Sequence, residues 1–452
     1  MTTLAEHMIV ADAENHPPML DKIMYNSWQS RMFLYIKGKK NGRMMLECIM
    51  NELLVYSTIE KDGKFLTRNM HNLLNKKSFK MTVMFKQLTL FFKVSYQMCI
   101  PLSTIVRRLK IFRIESSYSC KELNFHIKNV RLAFDTICKI SLGWDPCFLD
   151  FTRSTVSPLA AAFDVAAEAT AVRDKAAVKW VWKVKKLLNV ESERKLKEAV
   201  GVIHFAVNDI IRKRRENMDG SETQRDLLSR FISAGHDDEL VRDMVISFLM
   251  AGRDTTSAAM TWLFWLLTWH PTIEKDLLNE ITSMIKEYDH LSLTFDDLKE
   301  MDYLKACLCE SMRLYPPVVW DSKHAAENDV LPDGTPVYKG NRVMYFPYGM
   351  GRMEKLWGKD CLEFRPDRWF SESGVFKMEN PYKFSVFQAG PRVCLGKEMA
   401  FMQMRYVVAS VLRRFELVPV SLDQPVFVPL LTAHMDGGLK VRVRKRSEGL
   451  LL

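Results

Sequence analysis

One cysteine in this chain is hemmed in by its neighbours. Phe387, Gly390, Arg392, Cys394 and Gly396 are spaced F-x-x-G-x-R-x-C-x-G, and a helix-forming run follows from Lys397 to Phe415. A cysteine ligates a metal as its thiolate, so its setting must favour loss of the proton. A helix beginning just after Cys394 brings backbone N–H groups and a positive dipole end towards the sulfur. Gly390 and Gly396 let the backbone turn and pass close beneath a flat macrocycle. The Arg392 guanidinium suits a carboxylate such as a haem propionate. The set therefore suits an axial thiolate on haem iron, with Cys394 as the metal ligand. Thiolate ligation favours O–O cleavage, which marks oxygen activation rather than oxygen carriage. A buried cysteine in an ordinary loop is the alternative. Four companions at fixed offsets count against it.

With 452 residues the chain has room for two or three average domains or one large core. An apolar fraction of 48% and a charged fraction of 26% are those of a globular protein. The formal net charge of +11 points to an acidic partner surface or an anionic membrane. No compact basic module with interleaved aromatics stands out, so nucleic acid is not an expected partner. Nine scattered cysteines argue against a disulfide framework and for a reducing compartment. No signal pattern opens the sequence and no apolar run is long enough for a membrane span, so the sequence predicts no anchor.

Upstream, a helical pattern over 238–269 contains Ala251-Gly252-Arg253-Asp254-Thr255-Thr256. Gly and Thr are poor helix formers, and a Thr hydroxyl can bond back to the preceding turn and open the ladder. Beside a haem, such an opening would admit dioxygen and water, with Asp254 and Thr255 relaying protons. Equally, Asp254 or Thr255 could cap a new helix. Glu310 and Arg313 share one helix face, though such pairs are common. Arg368, in F-x-P-x-R-W, could complete a buried network that fixes geometry more than it adds stability.

In their order along the chain, A-G-x-D-T-T, E-x-x-R, F-x-P-x-R-W and F-x-x-G-x-R-x-C-x-G, the four motifs resemble the cytochrome P450 monooxygenases. Residues 318–326, 341–353 and 395–402, and 134–139 further upstream, look like the plant group of fatty-acid omega-hydroxylases and jasmonoyl-isoleucine hydroxylases. The resemblance runs from about residue 131 to 452 and implies a mainly α fold with small β-sheets, lacking the family's N-terminal part. It implies heme b on Cys394, a propionate on Arg392, and proton delivery by Asp254 and Thr255. It implies a pocket lined by Phe248, Leu249, Val318, Val319 and Leu431 for a long-chain fatty acid or a jasmonate conjugate. Electrons would come from NADPH through a separate cytochrome reductase. The family sits on the endoplasmic reticulum by an anchor; the chain as written would be cytoplasmic and its membrane association doubtful.

Helices are predicted over 161–175, 192–215, 224–233, 273–287 and 301–314 besides 238–269. A hairpin turning at Asp333-Gly334 is predicted between strands at 330–331 and 337–338. Gly349-Met350-Gly351 imitates a dinucleotide fingerprint but lacks its third glycine and its context. Cys307 and Cys309 face different sides of a helix and make a poor metal pair.

The first 130 residues are expected to fall outside that resemblance, without the Trp-x-x-x-Arg that would hold a second propionate contact. Residues 19–60 instead resemble the start of a copia-type retrotransposon Gag polyprotein, which suggests a domain over 1–70. Residues 71–130 lack glycine, and only Glu115 and Glu122 oppose many Lys and Arg. Out-of-frame retroelement sequence would explain this; an unfamiliar helical cap is the alternative. Two further readings stay open: a catalytically inactive remnant, and a Gag-like binding or assembly protein.

Overall fold

The computed structural model describes residues 58–61, 64–67, 122–148, 158–175, 181–217, 226–284 and 293–446. In chain order, β1 (Thr58–Lys61) pairs antiparallel with β2 (Lys64–Thr67). Next, β3 (Glu122–Asn124) leads into α1 (Phe125–Leu142), α2 (Pro158–Lys175), α3 (Val181–Leu187) and α4 (Glu191–Glu216). Then come α5 (Leu227–Ser233), α6 (Asp238–Trp269), α7 (Pro271–Ser283), α8 (Phe295–Glu300) and α9 (Asp302–Leu314). Four short strands follow: β4 (Asp321–His324), β5 (Asp329–Val330), β6 (Pro336–Val337) and β7 (Arg342–Tyr345). The last elements are α10 (Lys397–Arg414), β8 (Phe415–Pro419), β9 (Phe427–Val428), β10 (His434–Met435) and β11 (Lys440–Lys445).

The chain divides into two units. The smaller comprises Met1–Val94, Ser322–Met344 and Pro381–Leu395, and its described part holds two hairpins, most of the β4–β7 strand pair and the cysteine loop. The β5–β6 hairpin turns at Asp333-Gly334, one residue earlier at each strand than predicted. Gly334 takes a φ of +87°, the left-handed region that favours glycine in such a turn.

The larger unit is mainly helical, and α6 is its axis. Asp237 starts this helix by accepting the Leu240 N–H at 2.9 Å, with Asp238 and Glu239 complementing the dipole in the first turn. It stops at Trp269 because Pro271 opens α7 at a position where a missing N–H does no harm. Its bounds match the sequence expectation. Against it lies α1, with Gly252 facing Ile137 and the Phe125 ring edge-on to Phe264 at 4.8 Å, so the two helices run antiparallel. At Gly252 a β-carbon would stand 2.7 Å from the Ile137 side chain, and only glycine allows this approach.

The helix over 224–233 starts later than predicted, at Leu227, because the Asp226 side chain caps it by accepting the Ser229 N–H at 2.9 Å. Likewise α7 is described only to Ser283, short of the predicted 287, and residues 285–292 lie outside the described set.

A three-stranded antiparallel sheet in the order β3–β11–β8 closes this unit, and Val441 and Val443 on the central strand are buried while their neighbours are exposed. Residues 122–130, expected in the anomalous basic segment, therefore belong to the helical body. Leu123 pairs with Val441, and Phe125 is 1% exposed. Local composition could not show this, because the strand's partner lies at the far end of the chain. The Gag-like segment 19–60 lies outside the described residues except at 58–60, as does all of 71–121. No helix among the described residues is long and apolar enough to cross a membrane.

Candidate active site

The smaller unit holds the cysteine loop. Two single 3-10 turns, Ser385–Phe387 and Gly390–Arg392, bracket a sharp bend. The bend needs left-handed backbone at two positions, φ +58° at Gln388 and +64° at Gly390. With ψ at −177°, Gln388 lies in an extended positive-φ region that only glycine enters readily, so it is a strained position. The Lys323 ammonium donates to its side-chain oxygen at 3.3 Å. The Cys394 N–H donates to Phe387 O at 2.8 Å and the Val393 N–H to Gly390 O at 3.1 Å, which fixes the backbone around the thiol. Cys394, Val393 and Arg392 are exposed; Phe387 is half-buried. A single exposed thiol on a pinned turn, flanked by an apolar and a basic side chain, fits the donor set of a haem-thiolate site. Gly396 stands at the N-cap of α10, whose 18 residues supply the helix expected there.

Within the larger unit, Glu310, Arg313 and Arg368 form one network. Glu310 and Arg313 side chains are 0% exposed, and they are joined by two parallel bonds of 2.8 Å. Glu310 also accepts from Arg368 Nε at 3.1 Å, the Arg365 N–H at 3.0 Å and the Trp369 indole at 2.9 Å. Arg313 donates to three backbone carbonyls, those of Gly351, Cys361 (2.6 Å) and Glu363 (2.9 Å). Both charges are thus fully bonded, the condition under which a buried pair is tolerable. Sequence reading found the three charged residues and missed Trp369, the Arg365 N–H and the carbonyls, for which spacing carries no signal. It also missed the part played by Gly351. A β-carbon there would meet the Arg313 carbonyl oxygen at 2.1 Å, so the false dinucleotide glycine is a close-approach glycine.

On α6 the Thr255 hydroxyl donates to Ala251 O at 2.6 Å, a bond back to the preceding turn. The helix runs unbroken through it, so the alternative of a cap at Asp254 or Thr255 is excluded. Asp254 and Thr255 are half-buried. Burial raises the Asp254 carboxyl above the ordinary aspartate range; the Arg253 guanidinium opposes this, Asp164 adds to it, and His434 opposes it. Phe248 is half-buried and Leu249 is wholly covered, at 0% exposed. Val318 and Val319 are half-buried and Leu431 is exposed; the Ala433 N–H donates to Pro317 O at 2.8 Å and so ties their two segments together. Cys307 and Cys309 are both buried, and burial pushes the Cys309 thiol up to about 12. Among the described residues no cluster of His, Cys, Asp and Glu could hold a metal ion.

The family model "Cytochrome P450" matches residues 121–433, beginning before residue 131, where the resemblance was expected to start. Cytochrome P450 94B1 of Arabidopsis thaliana is 57% identical over 345 residues, covering 74% of this chain and 67% of the relative. Cytochrome P450 94B3 of the same plant is 63% identical over 325 residues, covering 70% and 63%. Cytochrome P450 94A2 of Vicia sativa is 46% identical over 345 residues, covering 74% and 66%. The chain spans about two thirds of the length of these curated relatives.

Proposed function

Because the chain belongs to the cytochrome P450 family, we propose that it is a haem-thiolate monooxygenase acting on a fatty acid or a fatty-acid-derived conjugate such as a jasmonate. The observation that carries this reading is the exposed Cys394 thiol on a loop pinned by its own N–H to Phe387 O. Cys394 would hold heme b through its thiolate and Arg392 would meet a propionate; when bound, the haem supplies the oxygen-activating chemistry.

The chain's own residues prepare for that chemistry. Asp254 keeps its proton to a higher pH than an ordinary aspartate, because burial disfavours its charge. It can thus still hold a proton to pass on at a pH where an ordinary aspartate has lost its own. The Thr255 hydroxyl, now donating to Ala251 O, needs only to rotate about its Cβ–Oγ bond to offer its hydrogen elsewhere. Glu310, Arg313 and Arg368 hold the backbone of the Gly351 and Cys361–Glu363 segments rigid. The half-buried apolar side chains Phe248, Val318 and Val319, with Leu431, suit a long acyl chain. A net charge of +11 favours an acidic electron donor, for which a flavin reductase fed by NADPH is the proposed partner at the endoplasmic reticulum surface. For residues 19–60, the resemblance to a copia-type Gag polyprotein supports a retroelement origin of that segment; alignment of the gene to Gag in any frame tests it.

The experiment is a reduced-minus-CO difference spectrum of the whole chain, followed by incubation with long-chain fatty acids, reductase and NADPH. A red-shifted Soret band and a hydroxylated product are expected. Absence of the band from folded protein, or its persistence in Cys394→Ser, would sink the reading in favour of an inactive remnant.

A further inference from the structure

Arg253 separates the two residues that sequence reading singled out, Gly252 and Asp254, and it is the most deeply buried charge on α6. Its side chain is 4% exposed. A guanidinium cannot shed its proton, so a buried one must be balanced by carboxylates. Among the described residues two are within reach. Asp164 on α2 makes an ion pair with the Nη2 end, and its own side chain is 64% exposed. Asp254 stands on the other side, its Oδ1 lying 3.4 Å from Arg253 Nε. That Nε–H is buried and makes no hydrogen bond among the described residues; Asp254 Oδ1 is near enough for an ion pair but is not aligned to accept it. The cation cannot retreat. Phe134 of α1 lies 5.6 Å from its centre, and Gly252 one residue earlier is in contact with Ile137.

We propose that Arg253 and Asp164 are positioning residues for Asp254: one buried guanidinium is shared between the carboxylate of α2 and the carboxyl of α6, so that α2 sets how firmly Asp254 is held. The inference rests on the proton-delivery role proposed for Asp254. While Asp164 satisfies the Nη2 end, Asp254 stays loosely held and can carry a proton. When Asp164 is neutral or displaced, Asp254 is the charge partner left among the described residues, and the unused Nε–H turns to it. The charged and titratable groups facing Asp254 are Arg253 of its own helix, Asp164 of α2 and His434 of β10. Of these, Asp164 alone is both exposed and joined to Asp254 through a second charge.

The test follows the carboxyl itself. Isotope-edited infrared titration of the whole chain labelled in aspartate reads the protonated Asp254 carbonyl band, identified by its loss in Asp254→Asn. In Asp164→Asn the titration midpoint is expected to fall by about one pH unit, the usual effect of an undivided cation within ion-pair distance. Arg253→Gln supplies the converse, a midpoint that rises, and Asp164→Glu restores the original. Hydroxylation by the holoenzyme is expected to show its pH profile displaced in the same direction with the substrate KM unchanged. A midpoint unmoved in Asp164→Asn and Arg253→Gln overturns the proposal, even if the enzyme is active. A displaced midpoint in protein that hydroxylates nothing supports the shared cation and counts against the hydroxylase reading instead.

Discussion

The α-carbon of Gly351 lies against the Arg313 backbone, and a β-carbon on it would come within 2.1 Å of the Arg313 carbonyl oxygen. The same glycine's carbonyl oxygen accepts a bond from the Arg313 guanidinium. Arg313 is therefore gripped at both its backbone and its tip by one residue, and the ion network of Glu310 inherits that position. Gly351→Ala is expected to destabilise the larger unit by several kcal/mol, since the obstacle is a backbone atom and cannot swing aside. Denaturant unfolding, compared with Gly349→Ala as a control that meets nothing closer than 3.8 Å, measures it.

Arg313→Lys keeps the charge and loses the fork. A lysine cannot reach Glu310 in bidentate fashion while also donating to the carbonyls of Cys361 and Glu363. A loss of about 1–3 kcal/mol is expected, the cost of leaving a buried carbonyl without its donor. Unfolding midpoints of this variant and of Glu310→Gln, falling together and non-additively in the double variant, would show that the network acts as one body.

Asp254 gives a stability change of defined sign with pH. Its folded carboxyl titrates above the unfolded value of 3.8 because burial disfavours the charge. Below that unfolded value both states are protonated and there is no penalty. As pH rises through the window up to the folded value, the unfolded chain has lost its proton and the native one has not, so stability falls. Asp254→Asn removes this term, and Arg253 keeps Asp164 as its partner. The variant should gain stability over the native protein near neutral pH, with the difference vanishing in acid. Its hydroxylation rate should fall by about 100-fold or more, as for loss of a proton-transfer group. Thermal melts across pH and product assays check the two halves separately.

Glu280 caps a helix from a neighbouring one. Its carboxylate accepts the N–H groups of Tyr303 at 2.7 Å and Leu304 at 2.9 Å, at the start of α9. Glu280→Ala leaves two donors unpaired and is expected to lower stability by about 1–3 kcal/mol. Glu280→Gln retains one accepting oxygen and should lose less. Equal losses in chemical denaturation would show that the carboxylate contributes packing rather than capping.

What the sequence disclosed depended on how local the physics was. The ends of α6 follow from Asp237 and Pro271, and the β5–β6 hairpin from Asp333-Gly334, all within a turn of the elements they bound. Glu310, Arg313 and Arg368 announce themselves as charges in recurrent motifs. Arg253 did not: in the motif it stands at a position free to vary, and only its burial between α1 and α2 gives it meaning. Gly252 was read as a weak point in the helix, whereas its use is to admit Ile137. Glu122–Asn124 looked like part of a foreign stretch because its partner strand is the last one described.

That last pairing has a bearing on how the protein is made. On a ribosome, Glu122–Asn124 emerges before every described helix of the larger unit, and Lys440–Lys445 emerges after all of them. Between those moments the first strand has no mate and Phe125 has no backbone acceptor at Leu439 O, which it reaches at 2.7 Å in the finished fold. Such distant closure is slow and leaves an unpaired edge exposed meanwhile. The strand ahead of the described helices is thus zipped shut only by Lys440–Arg442, and a nascent chain halted before Lys440 would leave Glu122–Asn124 unpaired.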